Sequence, residues 1–480
     1  MSQSQPPIGI SGRLESRMFG TRRVLVLALG FAPAIFIVNR VVRFVHARGV
    51  AFDCPPYWPL GQAEPRWPHP AVLPIFAICL FALPRMVRWL EHCRYRLSHV
   101  IVAGLCLVLA TNLLQGWTGG YGWDAGFVQP IAGGDPPIQY YHDAVEIEDV
   151  AVFLRDYDLR QPRLREHGRT HPPGAVLLIL ALSVVLSNPG WAAVVIAVAS
   201  VVLTAIFAFR LLSRHLPDDR LAGYVTFLLL LVPAVQIYYA ASVDALIAAL
   251  FLGVVCSLTD QPTAANLVAA FVCLMVLSML TFAAVLVLPV VFGIALLAPL
   301  GDSWHRCPRW RLRIGRPWPA GVVLLAATVA YVVIDRFTGF NYVQSFRVAA
   351  ALENPGGFRL LAEPVSYAFT RVENVAEIVV FFGPFLAVLA ARGLRIGRSG
   401  TGVLNRLTWL TAGTLGTAFM TGAFRTGETA RACLFVYPYL VFPVAGYLGS
   451  IEVTARERGW LLRLVFVQTL LMQVFGTYFW

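Results

Sequence analysis

The chain has 480 residues, of which 58% are hydrophobic and 13% charged, with a mean hydropathy of +0.68. A soluble domain carries about 25% charged residues, so the composition excludes a water-soluble globular fold. Repeated apolar runs of roughly 17–22 residues predict an all-α polytopic membrane protein. The net charge of +12 comes from 38 basic residues, all arginines. They cluster between apolar runs, as positive-inside topology requires, and no nucleic-acid partner is expected.

The N-terminal region, 1–114, begins with Arg13, Arg17, Arg22 and Arg23 ahead of an apolar run. No small-residue cleavage site follows, which predicts a retained helix over Val24–Val42 with its N-terminus inside. A link rich in proline and tryptophan (Pro55 to Pro59, Pro65 to Pro68) suits the membrane interface. A short helix is expected over Ala71–Leu83, then an inside loop with Arg85, Arg88, Arg94 and Arg96, then a helix over Val100–Leu114.

The interval 115–173 differs from the rest of the chain. From Trp117 to Pro173 it holds nine of the 26 acidic residues: Asp124, Asp135, Asp143, Glu146, Glu148, Asp149, Asp156, Asp158 and Glu166. With three arginine-bearing inside segments around it, this acidic loop is predicted on the outer side. Val150, Phe153, Leu154 and Tyr157 recur at i, i+3, i+4 and i+7, which predicts an amphipathic juxtamembrane helix, with Asp143 just before it in an N-cap-like place. The loop closes on Arg169-Thr170-His171-Pro172-Pro173, whose prolines fix the backbone where the next apolar run starts.

In the central region, 174–334, Ala175–Leu186 is too short for a full span and reads as a half-helix or re-entrant piece. Further crossings are predicted over Trp191–Leu212, Leu221–Tyr238, Ala245–Leu258, Ala264–Leu280, Ala283–Leu300 and Pro319–Val333. The cluster from Arg306 to Arg316 lies inside. A second outer loop covers 335–374, and the C-terminal region, 375–480, adds Val375–Ala391, Trp409–Met420, Leu434–Leu448 and Leu461–Phe479, for about 13 crossings. The eight cysteines show no CxxC or CxxH spacing, so neither a disulfide framework nor a metal site is expected.

Several polar residues stand out against this pattern. A carboxylate beside the membrane can deprotonate an acceptor hydroxyl, and Asp143 is the first choice, with Asp124 behind it and His142 adjacent. Arg169 and His171, at the membrane end of the loop, can face a departing phosphate. Asp244, in Ser242-Val243-Asp244, has a capping and a functional reading, because a carboxylate at a membrane helix end is costly unless hydrated or paired. Glu428 and Arg431 occupy a short outer loop that breaks the positive-inside trend, and binding a donor phosphate would give them a local role. Arg347 in the second outer loop is a weaker candidate of the same kind.

A long acidic first outer loop, an amphipathic juxtamembrane helix and a basic-Pro-Pro stretch before the next apolar segment resemble the GT-C glycosyltransferases. Protein O-mannosyltransferases and lipid A aminoarabinose transferases are the nearest groups. Those groups carry an Asp-Glu near the loop start, a Lys-Pro-Pro-Leu at its end and a Thr-Asp-Pro later. This chain has Arg169-Thr170-His171-Pro172-Pro173-Gly174 and Ser242-Val243-Asp244 in their places, and no clean Asp-Glu.

The resemblance implies an inverting sugar transfer from a polyprenyl-phosphate donor to a glycan, lipid or protein acceptor outside the cytoplasm. The enzyme would be embedded in the plasma or inner membrane, without an expected cofactor. The alternative is a transporter or flippase of a lipid-linked glycan, which calls for charged residues inside the helices along a path.

Overall fold

The structure, a computed structural model, describes residues 22–50, 64–65, 67–115, 120–134, 137–240, 242–297, 317–396, 402–424, 428–450 and 453–478. The expected arginine cluster 306–316, and Trp117, Asp135 and Arg425, lie outside them. Nearly all described residues are helical. The one two-stranded pairing among them joins Glu64–Pro65 to Gly476–Thr477, antiparallel.

Among the described residues, three helices are long and apolar enough to cross a membrane: Pro70–His92, Pro189–Ser213 and Trp318–Thr338. A bent pair, Pro364–Phe382 with Pro384–Arg395, passes the same test jointly. Six further apolar helices among the described residues have 10–17 residues, about 15–25 Å at 1.5 Å per residue. A count near 13 crossings therefore relies on helices shorter than the roughly 30 Å apolar layer. Leu325 and Val332 on Trp318–Thr338 are 65% and 64% exposed, an outward apolar face suited to lipid. The protein is an all-helical membrane protein.

The Val243–Leu258 helix sits at the centre. It is apolar all round and buried along nearly its whole length, as expected of an interior helix. It packs against Pro189–Ser213, Ala264–Leu280 and the turn Leu434–Val436.

Several helices differ from their expected course. The second helix does not stop at Leu83 but continues to His92, so Arg85 and Arg88 lie within it and donate back to the carbonyls of Phe81 and Pro84 at 3.0 and 3.4 Å. Folding the guanidinium onto its own helix satisfies it where hydropathy alone reads an end.

The expected span Leu221–Tyr238 is two helices, Asp219–Leu230 and Pro233–Tyr238. Pro233 has no N–H to continue the ladder, and polar side chains from other helices take the freed groups. Thr469 donates to the Leu231 carbonyl at 2.9 Å. Asn112 and Gln473 donate to the Gln236 carbonyl at 2.7 and 3.1 Å, and Gln115 to that of Ile237 at 3.2 Å. A broken helix inside a membrane requires such substitutes for water.

The expected crossing Val375–Ala391 is likewise replaced, by Pro364–Phe382 and Pro384–Ile396, bent by 96°. Gly383 sits at φ 99°, open to glycine at no steric cost, and Pro384 starts the next helix. The second outer loop thus ends at 363, and most of it is helix: Tyr342–Glu353 and one turn at Arg359–Ala362.

In the first loop, Asp149 rather than Asp143 caps the helix, accepting from the Ala151 and Val152 amides at 2.7 and 3.1 Å. That helix ends at Arg155. Phe153 is its buried residue, Tyr157 is buried at the start of the next turn, Tyr157–Arg160, and Val150 stays exposed. Gly174–Val185, with 12 residues, keeps the short length expected of it.

Candidate functional site

The loop is held by hydrogen bonds that converge just before the Gly174 helix. The Tyr157 hydroxyl donates to the carbonyls of His171 and Gly168 at 2.7 and 3.2 Å. Gln161 donates to the carbonyls of Arg169 and Ser345 at 3.0 and 3.2 Å, and accepts from the Ser345 hydroxyl at 3.0 Å. The 115–173 interval and the Tyr342–Glu353 helix are thereby tied together, and the segment carrying His167 and His171 is fixed in place.

These contacts shape a cavity of about 60 Å³, lined by Gln139, Tyr140, His167, His171, Ser242, Asp244, Glu428 and Arg431 with apolar neighbours. Its residues come from four separated stretches of chain. Arg431 is 7% exposed and lies between two carboxylates, with Nε 3.5 Å from Asp244 Oδ2 and Nη2 3.1 Å from Glu428 Oε2. Burial works against its charge, yet Glu428 and Asp244 hold its pKa above the ordinary value. Burial raises the Glu428 carboxyl, with Arg431 opposing.

The Asp244 carboxylate accepts from the Ser242 hydroxyl at 2.7 Å, and that hydroxyl caps the central helix by accepting from the Asp244 amide at 3.0 Å. Asp244 therefore stands in the first helical turn, where the helix dipole favours its charge.

The turn that carries Arg431 is built by a helix on the far side of the chain. Glu377 Oε2 accepts from the Thr429 and Ala430 amides at 2.9 and 3.3 Å, and Asn374 Oδ1 accepts from the Thr429 hydroxyl at 2.7 Å. One turn earlier, Arg371 donates to the carbonyls of Phe419, Ala423 and Phe424 at 2.6, 2.8 and 2.7 Å. Residues 371, 374 and 377 follow one another along one helix side, so this stripe grips both ends of the loop preceding Arg431.

The aromatic part of the lining is Tyr140, His167 and His171. Tyr140 meets His171 edge-on at 5.7 Å and His167 at 5.9 Å between ring centroids. His171 Nδ1 donates to the His167 carbonyl at 3.0 Å. Burial holds the pKa of both histidines below the ordinary value, with Asp244 opposing it at His171.

Of the residues singled out in the sequence, His171, Asp244, Glu428 and Arg431 meet in this cavity. The others are elsewhere. Asp143 has a side chain with 0% exposure that faces Arg165. It accepts from the Arg165 amide at 3.2 and 3.1 Å and from Nη1 at 3.1 Å. A Cβ at Gly168 would collide with this carboxylate. Burial raises the Asp143 pKa, opposed by those hydrogen bonds. Arg165 also grips Glu146 with two bonds of 2.9 and 2.6 Å.

Asp124 is exposed at the start of a π-turn and accepts from Gln129 at 2.8 Å. His142 bonds the Ala132 carbonyl at 2.9 Å. Arg169 and Arg347 do not line the cavity, and Arg347 is exposed. Among the described residues no group of three His, Cys, Asp or Glu is arranged to hold a metal ion.

The sequence reading left out Tyr140, His167, Asn374 and the role of Glu377. His167 and His171 are four apart, a spacing that places two residues on one helical face, so that signal was present.

No protein-family model and no curated protein sequence matches the chain. One solved structure is similar in fold: the archaeal oligosaccharyltransferase AglB from Archaeoglobus fulgidus, in complex with an inhibitory peptide and a dolichol-phosphate. The similarity has 12% identity and a TM-score of 0.47, covering 81% of this chain and 57% of that one.

Proposed function

We propose that this membrane protein transfers a glycosyl group from a polyprenyl-phosphate donor to a hydroxyl-bearing acceptor, within the cavity around Arg431. The observation that carries the reading is a buried arginine held between two carboxylates, Asp244 and Glu428, beside two uncharged histidines at the end of an outer loop. Asp244 takes the acceptor O–H proton, the acceptor oxygen bonds to the anomeric carbon, and the bond from that carbon to the phosphate oxygen breaks. The lipid phosphate leaves with the electron pair, and Arg431 offsets its charge. Attack from the face away from the phosphate inverts the anomeric centre. Asp143, closed onto Arg165, serves as a brace in this scheme.

The transporter alternative calls for charges along a helical path. Glu377, the carboxylate that best suits it, caps the Thr429 turn, which favours the transferase. The deciding experiment is transfer of labelled sugar from a panel of polyprenyl-phosphate sugars by the purified protein in nanodiscs, alongside Asp244→Asn and Arg431→Gln. Turnover by the native protein that collapses in both variants supports the assignment. Turnover retained in Asp244→Asn overturns the base. Donor binding without turnover on any acceptor makes the protein a carrier.

A further inference from the structure

One polar group of the cavity has no part in the reaction above. His167 is 7% exposed and lines the cavity, and its ring Nε2 is fully buried with no hydrogen-bond partner. The ring is held in position from several sides. Its backbone amide donates to the Ile138 carbonyl at 3.2 Å, its own carbonyl receives the His171 ring at 3.0 Å, and the Tyr140 ring is tilted towards it at 5.9 Å between centroids. A fixed, buried nitrogen left unmet is unfavourable, and a ligand that satisfies it recovers the loss.

The chemistry of the missing partner follows from the surroundings. Burial, Arg431 and His171 all oppose protonation of His167, so the ring is uncharged near neutral pH. An uncharged imidazole presents Nε2 as a donor or an acceptor according to its tautomer. A hydroxyl answers either, whereas a phosphate oxygen answers only a donor. The cavity also already contains a permanent cation for an anion, Arg431.

We propose that His167 determines sugar specificity by hydrogen-bonding one ring hydroxyl of the glycosyl group held in this cavity. The proposal rests on the transferase reading for the identity of the ligand. It adds a residue that the resemblance to known enzymes does not supply.

The test uses the full chain in nanodiscs with polyprenyl-phosphate mannose, glucose and galactose, and the monodeoxy derivatives of whichever binds best. Equilibrium binding and kcat/KM are measured for the native protein, His167→Phe and His167→Gln. Phenylalanine keeps the ring against Tyr140 and removes the hydrogen bond, while glutamine keeps a polar group. The native protein should lose about 10-fold or more against one deoxy derivative. His167→Phe should lose the same factor on the parent sugar and no longer distinguish the two, with partial recovery in His167→Gln.

A His167→Phe variant that melts like the native protein and still discriminates as well overturns the proposal. If no sugar is turned over but the deoxy discrimination in binding follows His167, the transferase reading fails and this one stands. If none of the three sugars binds, both fail.

Discussion

This protein contains two assemblies of the same composition, each one arginine between two carboxylates, and they are built for different ends. Around Arg165, both partners come from the acidic loop itself. The arginine grips Asp143 and Glu146 with side chain and backbone together, and none of the three lines the cavity around Arg431. Around Arg431, Glu428 lies three residues away in the same turn but Asp244 is brought in from the central helix, the contacts are looser at 3.1 and 3.5 Å, and the group faces a cavity with two histidines. A tight local arrangement consumes its charges in mutual contacts. A looser one assembled across the fold keeps charge available to a ligand. Acid density in the sequence does not separate the two cases, but geometry does.

The sharpest way to break this contrast is to remove each arginine assembly in turn. Arg431→Gln or Asp244→Asn should lower kcat for sugar transfer by about 100-fold or more, the scale of losing a group that stabilises developing charge. Steady-state rates with labelled donor would read this.

Arg165→Gln should act on stability instead. It leaves the wholly buried Asp143 carboxylate with the residue 165 amide but without its cation, at a cost of about 3 kcal/mol, seen as a lower melting temperature in detergent. Its folded fraction should keep kcat within about threefold. A variant Asp143→Asn that melts normally and transfers no sugar would reverse the contrast and return the base to Asp143.

Glu377→Gln should be intermediate. The weakened cap on the Thr429 and Ala430 amides should let the Arg431 turn relax and lower kcat about 10-fold, with KM for the donor rising.

Part of this arrangement was legible in the chain. His171 was marked by the Pro172-Pro173 pair where the apolar run resumes, Asp244 by a carboxylate at a membrane helix end, and Glu428 and Arg431 by their breach of the positive-inside pattern. Their convergence follows from packing and has no local signal. Asp143 looked functional because its partner, Arg165, lies 22 residues away, beyond any helical spacing.

The break before Pro233 and the bend at Gly383 were hidden for a related reason. Hydropathy stays high across both, and the break is satisfied by Asn112, Thr469 and Gln473 from distant helices. Apolar runs register where the chain is buried. They do not register where a buried backbone changes direction.

The smallest effect distinguishes the two assemblies by the sign of their response to acid. Burial, with Arg431 and His171 adding to it, holds His167 well below 6.5 in the folded protein, whereas the unfolded chain protonates it near that value. Below about pH 6.5 the unfolded chain therefore binds the extra proton, and stability falls as pH falls. His171, pushed down by burial and partly restored by Asp244, contributes with the same sign.

Asp143 does the reverse. Its folded pKa is raised above 3.8, so the folded protein binds the proton first, and this contribution grows as pH falls through the folded value. Between pH 7.5 and 5.5, acidification should destabilise the native protein more than it does His167→Phe. Asp143→Asn should instead remove a contribution of the opposite sign, one that grows as pH falls. Native and His167→Phe profiles that run parallel from pH 7.5 to 5.5 would mean that the His167 ring reaches water or an anion in solution, and the cavity would then be open where the structure closes it.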